Sequence, residues 1–184
     1  MEKKLYRGAL IFFTAMLLLS ILWPYKQKLQ NWNLEPSYLV KESDEIFFNN
    51  TRIHQYRTEE RAELAKQGFK VHRNLKCTYD TTYPLLNFAI INSWRTDQAY
   101  IIAEPNTRSD FSDTVYIALG DSVASLSLDH MDFTDHYRLA AWVFQNALEY
   151  RRAFILQGTD SLLLNGTQSN EKANQAVLKD YFRL

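Results

Sequence analysis

Residues 85–103 read LLNFAIINSWRTDQAYIIA, and two features of this stretch decide the architecture. Apolar side chains dominate Leu85 to Asn92 and Ala99 to Ala103, both runs of strand length, and Trp94 to Asp97 between them forms a short, turn-prone connection. Strands joined so closely must run antiparallel, because a parallel crossover needs about a dozen residues or more. Thr114 to Leu119 and Ser122 to Leu128 repeat the arrangement across Gly120-Asp121, a two-residue hairpin with glycine at the first central position. These four strands predict an antiparallel meander, with the longer polar loop Glu104 to Asp113 between its halves.

Helices are expected to cover the sheet. Asp132 or Thr134 caps a long helix reaching Leu156, with Tyr137, Ala141, Phe144 and Leu148 on one face and Gly158 as its stop; it is the main cover of the sheet. Leu162 to Leu164 adds an edge strand, and Ser169 caps a final helix carrying Ala173, Ala176, Val177, Tyr181 and Leu184 on one side. Upstream, Thr58 caps a short helix with Glu59 and Glu60 in its first turn, and Gly68 ends it. Phe69 and Val71 then alternate with Lys70 and His72 as a strand does. Tyr38 to Val40 and Ile46 to Phe48 read as short strands, with Ser43-Asp44-Glu45 as an alternative helix start.

Gly8 to Trp23 contains no ionisable side chain. Its nine Leu, Ile and Phe residues together favour membrane insertion by about 3 to 5 kcal/mol. At about 1.5 Å per residue the run covers roughly 24 Å, so a span across a core of about 30 Å must borrow Leu5, Tyr6 and Tyr25. Arg7 snorkels to the headgroups, and Trp23 and Tyr25 form an interfacial aromatic pair. A cleaved secretory signal shares the basic start and apolar middle, but the bulky exit Ile21 to Tyr25 does not suit a signal peptidase, which favours an uncleaved anchor. Lys3, Lys4 and Arg7 on one side, against Lys26 and Lys28 on the other, place the N-terminus in the cytoplasm.

The expected fold class is therefore α+β. Residues 1–24 form a cytoplasmic stub and transmembrane anchor, 25–36 a linker or helix extension bending at Pro24, and 37–184 one extracytoplasmic domain with a mainly antiparallel sheet, a long helix and a C-terminal helix. The partners expected are the lipid bilayer and a protein, with a bacterial envelope or cell exterior as the compartment.

Composition excludes several function classes. Lys and Arg total 21 against 21 for Asp and Glu, and the chain after residue 25 has a surplus of two acidic residues, so no nucleic-acid partner is expected. Five scattered glycines support neither a phosphate-binding loop nor a dinucleotide fingerprint, and no cofactor is expected. The lone Cys77 leaves no internal disulfide framework.

Val115 to Ser122 reads Val-Tyr-Ile-Ala-Leu-Gly-Asp-Ser, which resembles the first block of the SGNH, or GDSL-type, hydrolases. The resemblance implies that Ser122 is a nucleophile for ester hydrolysis and that a histidine, His130 or His136, serves as its base. It covers about eight residues. No later Gly-x-Asn-Asp block or C-terminal Asp-x-x-His pair accompanies it, and the period-two pattern after Ser122 reads as a strand where the family has a helix.

Asp129, His130, Asp132, Asp135 and His136 put five candidate metal ligands within eight residues, at no established ligand spacing and where helix capping also favours carboxylates. Glu104, Asp110 and Asp113 surround Arg108 without EF-hand spacing. His54 and His72 stand alone. Trp94 and Arg95, in a turn, are residue types enriched at interface hot spots. Tyr181, Phe182 and Leu184 either dock on the domain or meet another chain. Sequons occur at Asn49 and Asn165.

The function these features favour is a membrane-anchored, protein-binding or accessory subunit of an envelope assembly. The alternative is a tethered hydrolase using Ser122 or the Asp129 to His136 metal cluster. A small-ligand domain with a pocket between sheet and helix is a third reading.

Overall fold

The computed structural model describes residues 2–22, 36–79, 84–93, 95–106, 114–119, 122–127, 131–148, 153–157 and 159–184. The fold is α+β, with antiparallel sheets and helices. Strands β1 (Tyr56–Glu59), β2 (Lys70–Asn74), β3 (Leu86–Ser93) and β4 (Gln98–Pro105) form one sheet in sequential order. Strands β5 (Thr114–Leu119), β6 (Ser122–Ser127), β7 (Ala153–Gln157) and β8 (Asp160–Leu163) form a second, in the order β6-β5-β7-β8. The helices are α1 (Glu2–Leu22), α2 (Glu42–Phe47), α3 (Ala62–Lys66), α4 (Phe133–Leu148) and α5 (Gln168–Tyr181).

The predicted strands are present, but they do not make one meander. β3 and β4 pair along their whole length, as do β5 and β6, yet the two hairpins belong to different sheets. The outward edge of β4 is already occupied. Ala99 N–H donates to Tyr38 O at 2.9 Å, Val40 N–H donates to Asp97 O at 2.8 Å, and Ala103 N–H donates to His136 Nδ1 at 3.2 Å. With those groups satisfied by the 38–40 segment and by α4, β5 pairs with β7 instead. The Gly120-Asp121 turn lies outside the described residues, but pairing of Leu119 with Ser122 fixes its length at two residues.

β3 is buried at all eight positions because both faces of its sheet are covered. On one face Phe88 and Ile90 join Ile101, Leu139, Phe144, Val177 and Leu178 in the larger core, beneath α4 and α5. On the other, Ala89 and Ile91 join Phe69, Val71 and Ile102, with Leu64 of α3 packed against them. Truncating a fully enclosed side chain such as Phe88 to Ala costs about 3 to 5 kcal/mol.

Several expectations give way. The long helix is Phe133–Leu148 and Ala153–Gln157 is strand β7, so no helix reaches Leu156; Gly158, expected as its stop, lies outside the described residues. Phe154, Ile155 and Leu156 gain cross-strand partners on both sides, Ala118, Ile117 and Tyr116 in β5 and Leu163, Leu162 and Ser161 in β8, which a solvent-facing helix end does not offer. Leu162 and Leu163 do lie in an edge strand, β8. Ile46 to Phe48 is not a strand: Glu42, Asp44 and Glu45 charge the first turn of α2, which runs into a π-turn at Phe48–Arg52 where Thr51 Oγ1 donates back to Phe47 O at 2.6 Å. Thr58 lies in β1 and faces His72, and α3 starts at Ala62, with Arg61 at its N-cap position and no side-chain cap. Thr167, not Ser169, caps α5, its Oγ1 accepting from Asn170 N–H at 3.3 Å. Gly68 does end α3, at φ of +85°; a Cβ there would sit 2.7 Å from Arg95 Cδ.

Helix α1 carries Tyr6, Leu10, Ile11, Phe12, Phe13, Met16 and Leu18, each more than half exposed, and none belongs to either core. Among the described residues no helix is long and apolar enough to cross a membrane. Glu2, Lys3, Lys4 and Arg7 occupy the first turns of α1, leaving an uncharged length of roughly 22 Å from Gly8 to Leu22.

Candidate functional site

An open cleft of about 510 Å³ lies where α3, the edge strand β4 and the start of α4 meet. Its floor is Leu64, Ile91, Ile102 and Ala103, its wall is Phe133 with His136, and its rim carries Arg61, Glu63 and Glu104. Local sequence explains how α4 reaches it. Asp132 Oδ1 accepts from Asp135 N–H at 2.8 Å while Asp135 Oδ2 accepts from Asp132 N–H at 3.4 Å, a reciprocal cap that fixes the first turn. That turn lays Phe133 against Tyr100, 4.4 Å between ring centroids, and Tyr100 lies 4.5 Å from Tyr38, making a three-ring ladder whose exposed end is Phe133.

Beneath the rim runs an alternating chain of charges. Arg73 Nε donates to Glu59 Oε2 at 2.9 Å, and its Nη1 meets Glu104 Oε2. Glu104 Oε1 accepts from Arg61 Nη2, and Glu59 Oε1 accepts from Arg57 Nη2 at 2.7 Å. Arg73 is the hub, its side chain only 11% exposed and its guanidinium 5.2 Å from the Tyr79 ring. Burial opposes its charge, but the bonds to Glu104 and Glu59 outweigh burial and hold its pKa above the usual range. For Glu59 burial pushes upward, and Arg73 and then Arg57 overcome it, so its carboxyl sits below the usual range.

His136 takes its tautomer from the backbone. Because Nδ1 accepts from Ala103 N–H, the ring proton of the neutral form sits on Nε2. Burial lowers its pKa against the pull of Glu104, Asp135 and Asp132, so it is neutral at pH 7. Glu104 is paired with Arg61 and Arg73, and the His136 imidazole is bonded to the sheet edge; no described group in the cleft is a nucleophile poised against a base.

Of the five clustered candidates, Asp129 and His130 lie outside the described residues, while Asp132 and Asp135 cap α4 and His136 covers β4. Among the described residues no group of three or more His, Cys, Asp or Glu is placed to hold a metal. Ser122 opens strand β6 opposite Leu119, in a segment that is a strand and not the helix of the SGNH hydrolases. Asp110, Asp113, Trp94, Trp23 and Tyr25 lie outside the described residues, and Lys3, Lys4 and Arg7 are in α1. Arg95 is exposed in the β3–β4 turn. His54 is exposed, whereas His72 is buried, 3.0 Å from Thr58 Oγ1 and edge-on to Phe48. Tyr181 docks in the larger core, and Phe182 stacks on Phe144 at 5.0 Å. Asn165 is 7% exposed, closing its sequon in the folded state, while Asn49 is exposed.

Two polar constellations escaped sequence reasoning. One is the Arg73 hub. The other joins α5 to β3: Asn87 Oδ1 accepts from Asn174 Nδ2 at 2.7 Å and Asn170 Nδ2 at 2.9 Å, and Asn174 Oδ1 accepts from Phe88 N–H at 2.7 Å. Asn170 Oδ1 and Asn87 Nδ2 also hold the backbone of Thr78. The usable signal was Asn87 itself, a polar residue flanked by Leu86 and Phe88 in a fully buried strand.

No family model, curated protein or solved structure matches this chain.

Proposed function

We propose that the chain is a single-pass membrane protein, N-terminus in the cytoplasm, that presents residues 37–184 outside the cytoplasm as a protein-binding or accessory part of a membrane assembly. The observation that carries this reading is helix α1: seven large apolar side chains are more than half exposed, and none of the seven joins either core. Such a surface is costly in water and favourable in lipid. The length deficit of α1 is met if Leu5 and Tyr6 enter the interface, with Lys3, Lys4 and Arg7 at the headgroups. The exposed Arg95 in the β3–β4 turn, beside Trp94, offers residue types that partner surfaces use.

Two measurements test the proposal separately. After alkaline carbonate washing the chain should stay in the membrane pellet, and replacing Phe12 and Leu18 by Lys should release it. Release of the unaltered chain would refute the anchor. Purification in mild detergent should retain a stoichiometric second protein; a monomeric mass with nothing co-purifying would refute the accessory role.

A further inference from the structure

The cleft beside β4 combines an apolar floor with a rim where carboxylates outnumber cations. Ile91 and Ile102 are almost fully enclosed by protein, yet they line open space together with Leu64. The Phe133 ring is 41% exposed at the free end of its aromatic ladder. Glu63 and Glu104 stand on the rim. The rim cation is Arg61, whose side chain is 42% exposed and which rests on Glu104; Arg73, outside the cleft lining and with a side chain only 11% exposed, also meets Glu104. Arg61 is thus a cation already bound at the Glu104 carboxylate, held by an exposed ion pair that is weak and easily exchanged.

We infer that this cleft binds a primary alkylammonium group, with its hydrocarbon chain on Leu64, Ile91 and Ile102 and its charge at Glu104 and Glu63 in place of Arg61. The Phe133 ring face adds the attraction of an aromatic quadrupole for a cation. A carboxylate ligand would meet the rim with like charge, and a neutral alcohol would gain only the floor. The ammonium group has two possible sources, a free amine and a lysine side chain on another polypeptide. The inference concerns the site alone and does not depend on α1 being an anchor.

The test uses the full chain in mild detergent with isoleucine and leucine methyl groups labelled for NMR, titrated with n-pentylammonium, n-pentanol, pentanoate and Nα-acetyl-lysine amide. Pentylammonium should shift the Ile91 and Ile102 methyl signals saturably, with a Kd on the order of millimolar for so small a ligand. Pentanol should bind at least about fivefold more weakly, and pentanoate should cause no saturable shift. Glu63→Gln and Phe133→Ala, both at partly exposed positions, should each weaken binding by about three- to tenfold. Arg61→Ala should tighten it, because the resident cation is gone, and a merely structural role for Arg61 would not produce that gain. Acetyl-lysine amide binding as tightly as pentylammonium identifies a polypeptide side chain as the source, and clearly weaker binding identifies a free amine. Equal shifts from pentanol and pentylammonium, or no saturable shift at all, would overturn the inference.

Discussion

His136 accepts the outward-pointing amide of Ala103 at 3.2 Å, so a helix side chain stands where the next strand of the sheet would otherwise pair. An open edge invites pairing with another chain, and this imidazole is part of what closes it.

Replacing His136 by Ala should leave the buried Ala103 N–H without a partner and cost about 1 to 3 kcal/mol. His136→Asn, which keeps an acceptor, should recover part of the loss. Urea denaturation gives the difference, and light scattering should show concentration-dependent association for the alanine variant alone.

Stability should fall as pH drops below about 6.5, before most carboxylates titrate. Burial, with a smaller push from Lys70, takes His72 down to about 4, and burial also lowers His136. A histidine with a depressed folded pKa contributes fully above its unfolded value and loses that contribution as the unfolded state takes up protons. For His72 the loss is about 2 kcal/mol by pH 5, and it levels off near pH 4. The contribution of Glu59, whose carboxyl is held low, disappears only below about pH 4.5, so the two windows separate. Thermal unfolding between pH 7.5 and 4.5 should show a decline that His72→Gln reduces.

Asn174→Ala should cost about 2 to 4 kcal/mol, since it strands Phe88 N–H and removes a donor from Asn87 Oδ1 in the interior. Asn174→Asp should do no better, because it restores the acceptor but puts an uncompensated charge in place of the lost donors. Chemical denaturation checks both.

Asp180 accepts from Arg52 Nε at 2.8 and 2.9 Å and from Tyr56 O–H at 2.7 Å, tying the π-turn to the end of α5. Asp180→Ala should cost about 3 kcal/mol and loosen residues 48–55 selectively, whereas Tyr56→Phe should cost about 1 kcal/mol. Hydrogen exchange of amides 48–55 distinguishes local loosening from general destabilisation.

Cys77 is buried and its thiol is pushed up to about 12, chiefly by burial. It should resist a thiol reagent at pH 7.5 in the native chain and react promptly in urea. Fast native labelling would show that the segment after β2 opens readily.

How much could be read in advance follows from which physical signal each element carries. The β3–β4 and β5–β6 hairpins were legible because apolar runs bounded by turn residues leave few alternatives. Their assignment to separate sheets was not, because it depends on His136 and the 38–40 segment reaching β4, and no local pattern encodes that contact. β7 is not legible in the sequence, since Ala153 to Leu156 continues a pattern compatible with both periods, and only its partners in β5 and β8 decide. At the cleft, the sequence points to His136 as part of the Asp129 to His136 cluster or as a base for Ser122, and to Glu104 only beside Asp110 and Asp113. Arg61, Glu63 and Phe133 join them only through tertiary contact, and Arg73 and Glu59 were hidden because charged residues usually face water.

The asparagine and aspartate bonds of α5 also bear on synthesis. Asn174 completes the hydrogen bonding of Phe88 across 86 residues of sequence, and Asp180 reaches Arg52 across 128. While a ribosome is still making residues 88 to 170, the fully buried strand β3 lacks both its last backbone partner and the Val177 and Leu178 side chains that cover it. Closure of so distant a contact is slow, and the half-made chain displays Phe88 and Ile90 meanwhile. Truncations within α5 should therefore leave a chain that aggregates or is proteolysed in cells, measured as loss of accumulated protein.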